Sequence, residues 1–226
     1  MTMIAANHGG MTSKALMAIA LAAATIGSLP AQACSMAAGY KTPTTLELVA
    51  GSDSIVLARV GAAIGDGSGP DQTSVELIPE QLVDGTEMPA RLQIFGHLGT
   101  DRFQATPSDP NELHKANPDA FMGGCNRYVF KRGMLLLLFL RKMPDGSFRI
   151  VSSAFARTLE DVPDADAPWV RAVRYYNSVA RLPKKEAKTL MQAERERLEA
   201  TGDPVDALLA KDIGRQISGK RSQNFD

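Results

Sequence analysis

The chain has 226 residues, 44% of them apolar, and its 25 Lys and Arg are balanced by 25 Asp and Glu. That neutrality argues against electrostatic capture of nucleic acid, which needs a basic face, and it leaves no polybasic patch for a membrane surface. The length suits one sizeable domain with an appendage.

The N-terminal stretch reads as an export signal. Met11-Thr12-Ser13-Lys14 is a short basic n-region, and either Met1 or Met11 can serve as the start. The uncharged run from Ala15 to Ile26 follows, broken by Gly27, Ser28 and Pro30. Ala31-Gln32-Ala33 then offers small residues where a signal peptidase reads, which predicts a signal peptide over 1–33 and a mature chain that begins at Cys34. The run is shorter than the roughly 20 residues a membrane span needs. A lipoprotein peptidase would prefer a large aliphatic residue where Ala31 stands, so lipidation of Cys34 is the weaker reading. The mature chain keeps 193 residues, 24 of them basic and 25 acidic. The expected location is periplasmic or secreted, with no transmembrane segment after signal removal. The two cysteines, Cys34 and Cys125, read as one disulfide in an oxidising compartment. The alternatives are two thiols, or a lipidated Cys34 with Cys125 left over. Closing a loop of about ninety residues is worth roughly 4–5 kcal/mol in the chain-entropy model.

Thr44 as N-cap and Gly51 as stop predict a short helix over 45–50. Ser54 to Val60 is a near-continuous apolar strand, and Gly61 to Asp71 a glycine-rich loop. Thr73 to Leu82 alternates, with Pro79 marking an edge or bulged strand. Asp84-Gly85 turns the chain into a third strand, Ala90 to Phe95. Gly96 to Gly124 lacks a period over most of its length, and an irregular insertion of that size is usually functional or mobile; Asn111 to Ala116 is its one candidate helical turn. Tyr128 to Arg141 predicts the most buried strand, and Pro144-Asp145-Gly146 a hairpin into Phe148 to Ser153. Glu160 to Asp166 reads as an acidic linker. Three helices follow. The first runs over 168–182, carrying Trp169, Val170, Val173, Tyr176, Val179 and Ala180. The second starts at Pro183 and carries Ala187, Leu190, Met191, Glu194 and Leu198 around one side. The third is capped by Asp203 and carries Leu208, Leu209, Ile213 and Ile217. Five short strands with hairpins predict a small antiparallel barrel over 34–160, with a linker and helical segment over 161–226.

Three pieces in order carry a family resemblance: Cys34-Ser35-Met36; Ser52-Asp53-Ser54-Ile55-Val56-Leu57-Ala58-Arg59-Val60; and Gly124-Cys125-Asn126-Arg127-Tyr128 followed by the apolar strand, the Asp-Gly hairpin and Ser152 to Thr158. Over residues 34–158 the chain resembles the tissue inhibitors of metalloproteinases and their bacterial relatives, the netrin-like branch of OB folds. The resemblance implies a mainly β architecture, a five-stranded OB-like Greek-key barrel, here with a C-terminal α-helical extension. It departs from the family at Met36, where the second cysteine of a Cys-x-Cys stands, and at Ser153, Ala154 and Phe155, which offer that cysteine no partner. The pairing it implies for Cys34 is Cys125.

In that family the freed N-terminal amine and the carbonyl of the same cysteine chelate the zinc of the inhibited protease. The resemblance therefore implies an inhibitory ridge made of Cys34, Ser35, Met36, Gly123 and Gly124, with a zinc protease as partner. The expected function is an exported, non-enzymatic binding module without catalytic residues, cofactor or metal of its own. The alternative is a structural or envelope-assembly factor that docks through its helical segment.

Other residues carry weaker signals. His97, Asp101, Asp109 and His114 lie in or beside the insertion without metal-ligand spacing. Ser152-Ser153 lacks a nearby His or Lys. Lys131-Arg132 and Arg141-Lys142 read as solvated strand ends, and low aromatic content weakens an oligonucleotide reading. Trp169, Tyr175 and Tyr176 are expected to pack the helices onto the sheet.

Overall fold

The structure is a computed structural model that describes residues 36–221 apart from Ala38 and residues 66–73. The export segment, Cys34 and Ser35 lie outside the described residues. From Met36 onward the chain forms one compact unit.

The fold is built on two strands whose sequences are apolar at nearly every position. β1 (Ser54–Ile64) and β6 (Leu135–Lys142) pair antiparallel, with Val56 opposite Leu138 and Leu57 opposite Leu137. Side chains on a strand alternate between faces, so an unbroken apolar run needs cover on both. Ile55, Leu57, Leu137 and Phe139 face one core, which the helices complete. Val56, Ala58, Val60, Leu136, Leu138 and Leu140 face a second core, filled by Val75, Leu77, Leu92, Ile94 and Phe130.

The sheet is mainly antiparallel. β2 (Ser74–Asp84) lies between β1 and β3 (Leu92–Phe95), while β7 (Phe148–Ile150) and β8 (Leu159–Asp161) both pair with β6. The order is β3-β2-β1-β6-β7, so β3 and β7 are its two ends. A small parallel pair, β4 (His97–Leu98) with β5 (Val129–Phe130), sits apart.

Several expectations need correction. β1 runs on to Ile64 rather than ending at Val60. For Pro79 the bulged alternative holds: it lies opposite Ala58 beside a register shift, past the stretch of β2 that β3 covers, Ser74 to Leu77. A proline without an N–H is tolerated there because no outer neighbour needs the bond. The expected strand over Tyr128 to Arg141 is two strands, because the chain turns at Lys131 to Met134 with Gly133 at φ +82°. No helical turn forms over Asn111 to Ala116; the turn is a 3-10 helix over Pro118–Phe121, where Asn117 accepts the Asp119 N–H at 3.0 Å. The acidic stretch from Glu160 is not simply a linker: it opens with β8, and Glu160 is buried. There are eight strands rather than five among the described residues.

The local signals at the ends hold. In α1 (Thr45–Ala50) Thr44 and Glu47 form a capping box and Gly51 closes the turn. Gly85 has φ +97°, and a Cβ there would sit 2.5 Å from the Asp53 carbonyl oxygen, so only glycine makes this turn without displacement. Pro168, Pro183 and Pro204 stand at the starts of α2 (Pro168–Val179), α3 (Lys184–Glu199) and α4 (Pro204–Ser218). Asp203 caps α4 through the N–H groups of Val205 and Asp206. On α3, Ala187, Met191 and Leu198 face the core, whereas Leu190 is exposed. Trp169 is buried edge-on to Phe139, with the Arg157 guanidinium 4.4 Å above its ring. Tyr176 is buried and its hydroxyl donates to Asp212 at 2.6 Å. The Trp169 contact fastens helix to sheet, and the Tyr176 hydrogen bond ties α2 to α4.

Candidate functional site

The segment around Cys125 stands on a buried polar base. Arg127 is buried, donating to Asp161 at 2.5 Å, to the Thr106 carbonyl at 2.7 Å and to the Val129 carbonyl at 3.1 Å. Asp161 also accepts the Ser108 N–H at 2.8 Å. Its neighbour Glu160 accepts the Ser108 hydroxyl at 2.6 Å and the Asn117 N–H at 2.9 Å. Arg157, beside Glu160 at 3.8 Å, donates to the Lys115 carbonyl at 2.6 Å. Each buried charge therefore has an opposite charge or several hydrogen bonds, the condition on which burial is tolerable. The network fastens the long insertion to β8 directly at Ser108 and Asn117, and through Arg127 and Arg157 it also holds Thr106 and Lys115. It was not legible beforehand, because Glu160 and Asp161 look like part of an acidic linker.

On this base the chain from Phe121 to Gly124 is exposed, ending at a buried Cys125. Phe121 and Met122 are 44% and 62% exposed, high values for large apolar side chains. Gly124 packs so closely on Tyr128 that a Cβ would come within 2.7 Å of its ring. Cys125 and Phe155 are the non-glycine residues with left-handed backbones, at φ +56° and +58° among the described residues, and the Phe155 N–H donates to the Cys125 carbonyl at 2.7 Å. Such conformations cost on the order of 1–3 kcal/mol each and persist only where the surroundings fix them. The Phe121 ring lies 5.1 Å from that of Phe155. Close by, the Tyr40 hydroxyl donates to the Ala154 carbonyl at 2.9 Å, so the start of the described chain is tied next to Phe155.

A second aromatic group continues this face, with His97, Phe103 and Tyr128 within 5.6–6.3 Å of one another. Phe95, 63% exposed, lines a cleft together with Gly124 and Tyr128.

Of the sequence-derived ridge, three residues are among those described. Gly123 and Gly124 are exposed beside Cys125, and Met36 is half-buried. Cys34 and Ser35 lie outside the described residues, and among the described residues no cysteine is free. Phe121 and Met122, exposed apolar residues of the face, were not singled out from sequence. Their signal was two large apolar residues beside a glycine pair inside a polar insertion.

The remaining candidates are scattered. His97 is in the aromatic group, and His114 is half-buried, with burial and then the Arg215 charge holding its pKa below 6.5. Asp109 accepts the Asn111 N–H at 2.9 Å in a local turn, and Asp101 is exposed. No three His, Cys, Asp or Glu side chains are grouped to hold a metal ion among the described residues. Arg141 and Lys142 are occupied by the Gly51 carbonyl at 3.0 Å and by Glu87 at 2.5 Å. Ser152 is exposed at the end of β7. No helix among the described residues is long and apolar enough to cross a membrane.

No protein-family model matches the sequence, and no curated protein or solved structure matches it either.

Proposed function

We propose that this chain is an exported, non-enzymatic binding module that resembles a metalloprotease inhibitor. In this reading the sheet rolls into an OB-like barrel, the signal is cut after Ala33, and Cys34 is tied by a disulfide to Cys125. The observation that carries it is the Tyr40 to Ala154 hydrogen bond. It holds the chain six positions after Cys34 beside Phe155, whose N–H is bonded to Cys125. A chain end frays unless something fixes it, and both the hydrogen bond and the disulfide would do so.

The mature amine and carbonyl of Cys34 would then stand near the exposed ridge of Phe121, Met122, Gly123 and Gly124. An α-amine titrates near 7.7–8, so a useful neutral fraction exists at pH 7. The catalytic zinc of a protease keeps an open coordination position for it. Exposed apolar side chains on a segment tied down by buried hydrogen bonds make a preorganised contact surface, which lowers the ordering cost of binding. Docking through the helical segment has less support: the helices direct their apolar faces into the chain's own core, and Leu190 is the exposed large apolar side chain on them among the described residues.

The test has two parts. Intact mass with and without reductant is expected to report a chain that starts at Cys34 and gains two hydrogens on reduction. That mature form is expected to inhibit at least one member of a panel of zinc metalloprotease catalytic domains, and one alanine added before Cys34 is expected to abolish inhibition. Equal behaviour of the two forms would sink the chelation reading.

A further inference from the structure

β3 and β7 are the two ends of the strand order, and their Cα atoms come within 8 Å of each other although the two strands are not paired. No third strand fits in that gap, because neighbouring strands stand about 4.8 Å apart and one placed between them needs about twice that. Beside the gap lies a cleft of about 350 Å³, near the small end of the roughly 300–1,000 Å³ range of small-molecule sites. Side chains alternate along each strand. Leu92 and Ile94 of β3 and Phe148 and Ile150 of β7 therefore belong to or pack against the second core, while Phe95 and Arg149 are exposed at the rim. That core is least sealed here: Leu92, Ile94 and Leu159, all lining the cleft, keep 7–8% exposure, whereas its other buried members keep 2% or less. The lining contains two arginines and no carboxylate. Arg127 is spent on Asp161, and Arg149 is exposed. Asp145, near Arg149, is bonded to Ser147 and does not line the cleft.

We infer that this cleft binds a free, single-chain aliphatic carboxylic acid, its tail against the open side of the core and its carboxylate at Arg149. The tail follows from the floor, which is aliphatic and aromatic and gains by losing its remaining contact with water. The head follows from the rim. An arginine presents a planar fork that matches a carboxylate, and no acid in the lining competes for it. A purely apolar ligand would leave that charge unused, and a cationic one would meet it with repulsion. The narrow gap admits one chain, not the flat surface of a protein partner.

The site shares Gly124 with the exposed ridge but uses neither Cys34 nor a protease. Butanoate, hexanoate, octanoate and decanoate are titrated into the full mature protein and followed through backbone amide shifts. The shifts are expected on residues 92–95 and 148–150. Affinity is expected to rise about fourfold for each methylene buried and to level off once the cleft is full. Arg149→Gln removes the charge, and Gln93→Glu adds a carboxylate to the lining; both positions are exposed. Each is expected to weaken octanoate about threefold to fivefold, the size of an exposed charge pair, with an unchanged thermal melt. Octylamine, the same tail with the opposite charge, is expected to bind more weakly than octanoate. Equal binding of octylamine overturns the inference, as do shifts centred elsewhere or no shifts at about 10 mM octanoate, which populates even a millimolar complex. Affinity that climbs with every carbon without levelling off would mean an open apolar surface and overturn it. Co-sedimentation with phosphatidylglycerol vesicles that octanoate fails to displace would make a membrane the occupant. Shifts at the same residues on dilution alone would make a second copy the occupant, and either result overturns it too. Acid binding and protease inhibition are separate measurements, so failure of one leaves the other standing.

Discussion

Arg127 and Asp161 are 34 positions apart in the chain and 2.5 Å apart in space, a buried arginine joined to the last strand of the sheet. The same guanidinium holds Thr106, and the same carboxylate holds Ser108, so this pair closes the root of the long insertion. Removing one partner of a buried pair strands the other's charge. Arg127→Ala is therefore expected to destabilise the protein by about 3–5 kcal/mol, read from urea unfolding. Arg127→Lys keeps the charge but loses the fork, and an intermediate loss is expected.

The sole tryptophan, Trp169, sits between sheet and helices. Its fluorescence therefore reports the joint between the two layers. Trp169→Ala is expected to cost about 3–5 kcal/mol. In the parent chain, tryptophan fluorescence and far-ultraviolet circular dichroism are expected to give one coincident unfolding transition. Separate transitions would show that the layers come apart independently.

Asp212 is 1% exposed, and burial raises its pKa above 3.8, against the Tyr176 hydrogen bond and the Arg215 charge that pull it down. A carboxyl more easily protonated in the fold than in the unfolded chain favours the fold below pH 3.8. That contribution is lost as pH rises through its folded pKa. Asp212→Asn does not ionise, so its stability relative to the parent is expected to increase with pH above about 4. Urea midpoints at a series of pH values check the sign; a difference that falls as pH rises would refute it.

Tyr175 keeps its hydroxyl buried without a hydrogen-bond partner, and burial, then the Glu194 charge, push its pKa up to about 12. The fold disfavours the phenolate, so this group's contribution is intact below pH 10 and disappears as pH rises through about 12. Tyr175→Phe removes an unpaired buried hydroxyl and is expected to stabilise the protein by about 1 kcal/mol. It should also delete an absorbance step near pH 12 from the alkaline titration. An unchanged titration would assign that step to another tyrosine.

What was legible in the sequence was local. Thr44 with Glu47, Gly51, Asp203 and the prolines at helix starts each act through backbone groups a few residues away, so a short window contains both partners. The Asp145-Gly146 hairpin is of the same kind: Gly146 has φ +82°, and Asp145 accepts the Ser147 N–H at 2.9 Å. Glu160 could not be read, because its partners are 43 and 52 positions away and an acid before a proline looks solvated. The continuous strand expected over Tyr128 to Arg141 misled for a different reason. Its apolar character is real, but Lys131-Arg132-Gly133 turns the backbone between two separate pairings. Of the candidate site, the glycines beside Cys125 were legible through the resemblance. Phe121 and Met122 were not, since exposure is set by what fails to cover a side chain.

The two-sided burial of β1 and β6 has a practical consequence for anyone handling this protein. Ile55, Leu57, Leu137 and Phe139 are roofed only once the helices are in place. A fragment stopped after β8 would carry a flat, greasy plate into solution. Plates of that kind recruit each other unless covered, so such a fragment is expected in the insoluble fraction of a cell extract. The change in composition near residue 160 is a poor place to cut: the helices serve the sheet as a lid serves a jar, and the contents spoil without it.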